Sequence, residues 1–133
     1  MLLLDASVWV AAGLSTHPAH ETASPLVRGG VSVAALDLTL YEVINAVARQ
    51  YRQPEQAQRI ARALLRTCGD ELARMDHALA EEVVKVVAEH SLTAYDAAYV
   101  AAARRNGWQL VSLDMRDLVS NGLAVTPDAA VYP

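Results

Sequence analysis

Short, unbroken apolar runs alternate with stretches whose apolar residues recur every three or four positions, and this alternation constrains the fold more than any other feature of the chain. Residues 2–4 form an apolar run that ends on Asp5, and residues 31–35, 72–75, 109–112 and 123–125 have a similar character. Runs of this length suit strands buried on both faces, as in a parallel sheet covered by helices. Between them Leu40, Ile44, Val47 and Tyr51 keep a helical spacing, as do Ile60, Leu64 and Cys68, and then Leu79, Val83, Val86 and Val87. Pro54 suits a first helical position, Thr93 an N-cap and Asn106-Gly107 a helix end. Strands alternating with helices predict a three-layer α/β/α sandwich around a central, mostly parallel five-stranded sheet. The segment 16–30 is the least defined, because Pro25 interrupts its helical pattern.

Nothing divides this pattern. The 133 residues hold no internal repeat, low-complexity tract or Pro/Gly/Ser linker, so residues 1–133 are read as a single domain. Although 53% of residues are hydrophobic, no apolar run reaches the roughly 18 to 20 residues needed to cross a bilayer. Met1-Leu2-Leu3-Leu4-Asp5 lacks the basic start of a signal peptide, and a cytoplasmic location without membrane attachment is expected. Cys68 is the only cysteine, which excludes an intrachain disulfide and any multi-cysteine zinc site, so a bound metal would need oxygen or histidine ligands.

The charge balance at first opposes a nucleic-acid partner: 11 Lys and Arg against 15 Asp and Glu give a net charge of -4. Carboxylates gathered as a cation site would be cancelled by their metal, leaving a nearly neutral surface. All the basic residues except Lys85 are Arg, whose planar fork suits phosphate oxygens. Arg49, Arg52, Arg59, Arg62 and Arg66 fall in one stretch, for which a solvated helix face is the simpler reading.

In an open α/β sheet the functional crevice lies beyond the carboxyl ends of the strands. Four acids are expected there. Asp5 ends the first strand and Asp114 comes after the strand at 109–112. Glu42 sits in the first turns of the helix after the second strand, and Asp96 in the first turn of the helix capped by Thr93. Singly, each has an ordinary structural explanation: Asp96 completes a capping-box variant, Glu42 complements a helix dipole, and an Asp after a strand often caps the next turn. Together they form a set, each with small or hydroxyl neighbours: Asp5-Ala6-Ser7, Glu42 with Asn45, Tyr95-Asp96-Ala97, and Ser112-Leu113-Asp114. Converging carboxylates must take up protons or bind cations, and oxygen-only ligands favour hard ions such as Mg²⁺ or Mn²⁺.

Leu4-Asp5-Ala6-Ser7-Val8, Glu42-x-x-Asn45, Leu92-Thr93-Ala94-Tyr95-Asp96-Ala97-Ala98-Tyr99 and Leu110-Val111-Ser112-Leu113-Asp114 carry a further signal in their order and spacing. Across essentially its whole length the chain resembles a PIN-domain ribonuclease, in the short form of the VapC-type toxins of prokaryotic toxin–antitoxin pairs. The resemblance implies a PIN-like fold with Asp5, Glu42, Asp96 and Asp114 as the acidic quartet, supported by Ser7, Asn45 and Ser112. Asp117 departs from the pattern, since a fifth acid usually stands nearer the fourth, and it is assigned only a supporting place. The implied activity is RNA cleavage leaving a 5′ phosphate and a 3′ hydroxyl, with tRNA, ribosomal RNA or mRNA as target. An antitoxin partner and a homodimer are also implied. The antitoxin's C-terminal segment would enter a groove lined by Trp9, Val10 and Leu14, and a basic side chain from it would compete with metal; the plain reading of those three residues is core packing.

The chemistry of such a cluster can be argued without the family. Phosphodiester hydrolysis needs a nucleophilic water, charge stabilisation on the nonbridging oxygens and help for the leaving oxygen, and two cations about 3.5–4 Å apart supply all three. Asp5 and Asp96 are the expected principal ligands, Asp114 a ligand of the second cation, and Glu42 the group that holds or deprotonates the water.

Other readings are weaker. His17 and His20 stand around Pro18 in what reads as a surface turn; His77 and His90 flank a helix; Cys68 lies on an apolar helical face. A haloacid-dehalogenase-type phosphatase wants a second Asp where Ser7 stands. A receiver domain wants paired acids after the first strand and a Lys after a late one, whereas the only Lys is Lys85. A metal-dependent adhesion module would begin Asp-x-Ser-x-Ser, but Trp9 replaces the second Ser. A noncatalytic metal-dependent binding module and a PIN-like RNA-processing domain with no toxin role are the alternatives.

Overall fold

The computed structural model describes residues 1–131. Strands β1 (Leu2–Leu4), β2 (Val33–Leu36), β3 (Leu72–Ala73) and β4 (Gln109–Val111) form one parallel sheet in the order β3-β2-β1-β4. Leu2 registers with Val33 on one side and Gln109 on the other, and Leu4 with Val111. Helices α1 (Ala6–Gly13) and α2 (His20–Arg28) link β1 to β2, α3 (Asp37–Ile44) and α4 (Pro54–Cys68) link β2 to β3, and α5 (His77–His90) and α6 (Ala94–Asn106) link β3 to β4.

The strands read as apolar runs because both faces are covered. Leu2, Leu4, Val33, Ala35 and Val111 pack with α1, α2 and α4, whereas Leu3, Ala34, Leu36 and Leu110 pack with α5 and α6. Successive residues of a strand point to opposite faces, so each strand contributes to two cores separated by the sheet. These are the three layers expected from sequence.

The fifth strand is not formed. Val125 makes a single parallel bridge to Val111, with its N–H on the Leu110 carbonyl and its own carbonyl taking the Ser112 N–H. The next ladder bond would need a donor at residue 127, and Pro127 has none. The sheet therefore has four strands, with residues 123–125 reduced to a bridge. β3 is also shorter than the expected 72–75, because Asp76 is already the N-cap of α5, its side chain accepting the Leu79 N–H.

Helix boundaries obey local chemistry. Pro54 opens α4, Thr93 caps α6 through the Asp96 N–H, and Gly107 ends α6 at φ +68°, a left-handed conformation that favours glycine. Pro25 lies inside α2; Ala23 and Leu26 on either side of it are buried, so packing on α1 outweighs one missing backbone bond. The buried stripe of α3 and the π-helical turn that extends it (Asn45–Gln50) is Thr39, Val43 and Val47; Ile44 and Tyr51, expected on that stripe, are exposed.

Because β1 sits between β2 and β4, the chain leaves β1 across one face and reaches β4 from the other. The crevice beyond β1 and β4 is thus the switch point of the sheet, where a parallel α/β fold leaves room for a ligand.

Candidate functional site

Asp5 stands at this switch point. Its backbone N–H bonds the Val111 carbonyl, ending the ladder, and its side chain caps α1 by accepting the Val8 N–H at 3.3 Å. Two hydroxyls complete its shell: Ser7 donates to Oδ1 and Ser112, from beyond β4, to Oδ2. Those serines are fixed in turn, Ser7 Oγ accepting the Leu113 N–H and Ser112 Oγ the Asp114 N–H, both at 3.0 Å. Asp5, Ser7, Ser112 and the start of the Asp114 loop are therefore one hydrogen-bonded unit, and Asp5 is only 7% exposed.

The other acids arrive from two helix starts and from the second turn of α3. α6 begins at Ala94, so Thr93 places Asp96 in its first turn, its N–H on Thr93 Oγ1 at 3.1 Å. Asp114 caps the short π-helical turn Met115–Val119 and accepts the Asp117 N–H at 3.0 Å. Glu42 lies in the second turn of α3, its Oε1 accepting a 2.6 Å hydrogen bond from the Tyr99 hydroxyl. Oxygens of Asp96, Asp114 and Asp117 lie within 4.8 Å of one another.

The electrostatics reflect the same convergence. Burial pushes the Asp5 carboxyl up to about 6, against the hydrogen bonds from Ser112, Ser7 and Val8, and the Glu42 charge adds to the rise. Burial also raises Glu42, opposed by Tyr99 and assisted by the charge of Asp96. Asp96 is raised by burial and by the charges of Asp114 and Asp117. Each acid feels the next, so Asp5, Glu42, Asp96, Asp114 and Asp117 occupy one field of negative potential. The donor set is all carboxylate oxygen, the chemistry of a hard divalent cation, and the mutual repulsion is what such an ion relieves. The residues fit a cation of that class.

The structure refines several sequence expectations. Asp117, given a supporting place, stands in the acidic group itself; its signal was the Asp114-x-x-Asp117 spacing, which brings both acids to one helix start. Asn45 lines a cleft of about 560 Å³ together with Ser7, Val10, His17, Glu42 and Tyr51, but makes no hydrogen bond to the acids among the described residues. Trp9 and Leu14 are buried in the core, Trp9 at 2% exposure, so of the three groove residues only Val10 borders this open cleft. His17 Nδ1 takes the Ala19 N–H, as suits a turn, whereas His20, expected in the same turn, is the first residue of α2 and its Nδ1 bonds the Ala11 carbonyl of α1. Cys68 is buried, which pushes its thiol up to about 12. Thr39 and Tyr99 carried no functional expectation, although Tyr99 lies one helical turn after Asp96 and Thr39 one turn before Glu42.

Comparison with known proteins places this geometry. The family described as PIN domain matches residues 2–119. Ribonuclease VapC3 of Pyrobaculum aerophilum is 30% identical over 130 residues, which cover 95% of this chain and 98% of that protein. The crystal structure of Mycobacterium tuberculosis VapC20, described as a sarcin-ricin loop cleaving toxin, superposes with a TM-score of 0.78 at 21% identity over 100% of both chains. A toxin–antitoxin complex from Klebsiella pneumoniae gives 0.74 at 23% identity, covering 96% of this chain and 98% of that one. At these identities the two structures speak for the fold alone.

Proposed function

The chain belongs to the PIN-domain family, and from that premise we propose that it is a metal-dependent endoribonuclease acting as the toxin of a toxin–antitoxin pair. The observation that carries the reading is the acidic field at the sheet's switch point: Asp96, Asp114 and Asp117 lie within reach of one ion, the charges of Glu42 and Asp5 couple to theirs, and among the described residues that three-acid group contains no histidine or cysteine. The 30% identity to a ribonuclease over almost the full length of both chains supports the nuclease assignment.

Asp96, Asp114 and Asp117, whose oxygens lie within 4.8 Å of one another, would hold Mg²⁺ or Mn²⁺ together with Asp5. Such ions, when bound, would supply charge neutralisation at the nonbridging phosphate oxygens, a water acidic enough to attack near neutral pH, and stabilisation of the leaving oxygen. The protein's own groups do the rest. Ser7 and Ser112 donate to Asp5 and fix the direction of its remaining lone pairs. Glu42, with Oε1 committed to Tyr99, keeps Oε2 to orient the attacking water and take its proton. The products are a 5′ phosphate and a 3′ hydroxyl.

The surface suggests the partners. The cleft beside the acids, bordered by Val10, His17 and Tyr51, is open enough for an antitoxin segment carrying a basic side chain toward the carboxylates. A segment reaching Trp9 and Leu14 would have to displace a neighbouring helix, since both are covered. Homodimerisation is supported by an apolar hollow of about 300 Å³ between the start of α3 and helices α5 and α6, rimmed by the exposed rings of Tyr41 and Tyr95.

The test is cleavage of end-labelled structured and single-stranded RNA by the purified protein, with analysis of the new ends. Products bearing 5′ phosphates, formed by the wild type and absent with Asp96→Asn, support the proposal. Cyclic 2′,3′-phosphate ends, or equal cleavage by the variant, would remove it.

A further inference from the structure

α3 and α6 are tied together by a buried chain of hydroxyls. The Leu36 backbone N–H donates to Thr39 Oγ1 at 3.1 Å, Thr39 Oγ1 meets the Tyr99 hydroxyl at 2.9 Å, and that hydroxyl reaches Glu42 Oε1 at 2.6 Å. Thr39 is 0% and Tyr99 2% exposed.

The hydrogen positions are set by the ends. A backbone amide can only donate, so Thr39 accepts from Leu36 and is free to give its own hydrogen to Tyr99. An ionised carboxylate can only accept, so Tyr99 gives its hydrogen to Glu42. Every hydroxyl then has one donor role and one acceptor role, all pointing from the end of β2 toward the acidic cleft.

Packing alone does not require this chain. Tyr99 belongs to the buried apolar cluster that includes Leu36, Leu110 and Leu118, in which the ring of a phenylalanine could be accommodated without a polar atom to satisfy. A buried hydroxyl is costly unless it is paired, and this one is paired with Thr39 and with Glu42.

The placement also links two acids. Thr39 and Glu42 are one turn apart on α3, and Asp96 and Tyr99 one turn apart on α6, so the Tyr99–Glu42 bond acts as a cross-brace that sets how far Glu42 stands from Asp96. We propose that Tyr99, held by Thr39, is a positioning residue that fixes the Glu42 carboxylate with Oε1 occupied and Oε2 presented to the cation and water in the cleft.

The inference rests on the reading of Glu42 as part of the site, and the test separates the two. Cleavage kcat and KM, Mn²⁺ affinity by calorimetry without RNA, and Tm are measured for wild type, Tyr99→Phe, Thr39→Val, Glu42→Gln and the Tyr99→Phe/Glu42→Gln pair. Tyr99→Phe should lower kcat by about 10- to 100-fold, the scale of one hydrogen bond to a charged group, with KM little changed and Mn²⁺ affinity weakened. Thr39→Val, which leaves the ring in place, should move both in the same direction by less. The pair should be no worse than Glu42→Gln alone, because the phenol would have no carboxylate left to position. If Tyr99→Phe binds Mn²⁺ and cleaves like wild type while Glu42→Gln is impaired, the positioning role is overturned and the nuclease reading stands. A pair whose losses simply add overturns it too, as does a Tyr99→Phe that fails to fold beside a Thr39→Val with unchanged Mn²⁺ affinity. Cleavage by Glu42→Gln equal to wild type would remove Glu42 from the site and the inference with it.

Discussion

Replacing Asp5 by Asn should make the cation-free protein more stable at neutral pH while destroying its activity. Burial lifts the Asp5 carboxyl from its ordinary 3.8 to about 6. A folded-state value above the unfolded one means that the native state holds the proton more tightly. The associated stability is therefore full below about pH 4 and is lost as the pH rises through about 6. At neutral pH the loss amounts to about 3 kcal/mol relative to a group that does not ionise. Asn recovers only part of this. Its amide nitrogen would face Ser112 Oγ, which already accepts the Asp114 N–H at 3.0 Å, and the Ser112 hydrogen would lose its carboxylate acceptor. With about 1 kcal/mol or more charged to that mismatch, a net gain of about 1–2 kcal/mol remains, or about 3–6 °C in Tm for a domain of this size. The assay is thermal unfolding in EDTA from pH 4 to 8: near pH 4, where only the hydrogen-bond mismatch remains, the variant should melt below the wild type, and it should overtake it as the pH rises toward 6 and stay ahead at pH 7. Excess Mn²⁺ should reverse the order, since an ion at 100 times its Kd adds about 2.7 kcal/mol to the protein that binds it. An Asp5→Asn variant that melts below the wild type at pH 7 in EDTA, or a difference that ignores pH, would refute the reasoning.

Three other contacts lead to measurable outcomes. Asp117→Asn should weaken Mn²⁺ binding in calorimetry about as much as Asp96→Asn, because both oxygens belong to the same group of three acids; unchanged affinity would return Asp117 to a bystander. Gly13→Ala should cost about 1–3 kcal/mol in urea unfolding, since a Cβ there would overlap Cγ1 and Cδ1 of Ile60, and the added cost should shrink in an Ile60→Ala background. Thr93→Ala should cost about 1 kcal/mol by removing the N-cap of α6, and amide exchange should rise at Asp96 before it rises elsewhere in that helix.

The parts of this protein that sequence makes legible are those governed by local rules. Two-sided burial wrote β1, β2 and β4 as apolar runs, and Pro54, Thr93 and Gly107 marked helix ends by backbone chemistry that depends on no distant contact. The features that sequence did not reveal depend on contacts across the chain. Residues 123–125 have the composition of a strand, yet the ladder stops at Pro127, a consequence visible only once the register against β4 is known. Leu40, Ile44, Val47 and Tyr51 obey a helical period, but of these only Val47 is fully buried; packing selects Thr39 and Val43 beside it and leaves Ile44 and Tyr51 exposed.

The site divides in the same way. That Asp5, Glu42, Asp96 and Asp114 face one crevice was legible because strand ends and the first turns of the helices that follow them converge in a sheet of this kind. Asp117 was given only a supporting place because its spacing from Asp114 was judged against a family pattern; the helix start that the two residues share brings its carboxylate within 4.8 Å of those of Asp96 and Asp114. Thr39 and Tyr99 were missed because each sits on an apolar helical face, where a hydroxyl looks like ordinary core until its partner, 60 residues away in the sequence, is seen beside it.

The central claim is that the clustered carboxylates hold the cation with which RNA is cut. It is tested most directly by titrating Mn²⁺ into EDTA-stripped protein while tracking binding by calorimetry and cleavage of labelled RNA on the same samples, for wild type and Asp96→Asn. The account predicts that cleavage returns along the binding curve and that the variant shifts both to higher Mn²⁺ together. Cleavage that persists without cation, or a variant whose binding shifts while its cleavage does not, would contradict it.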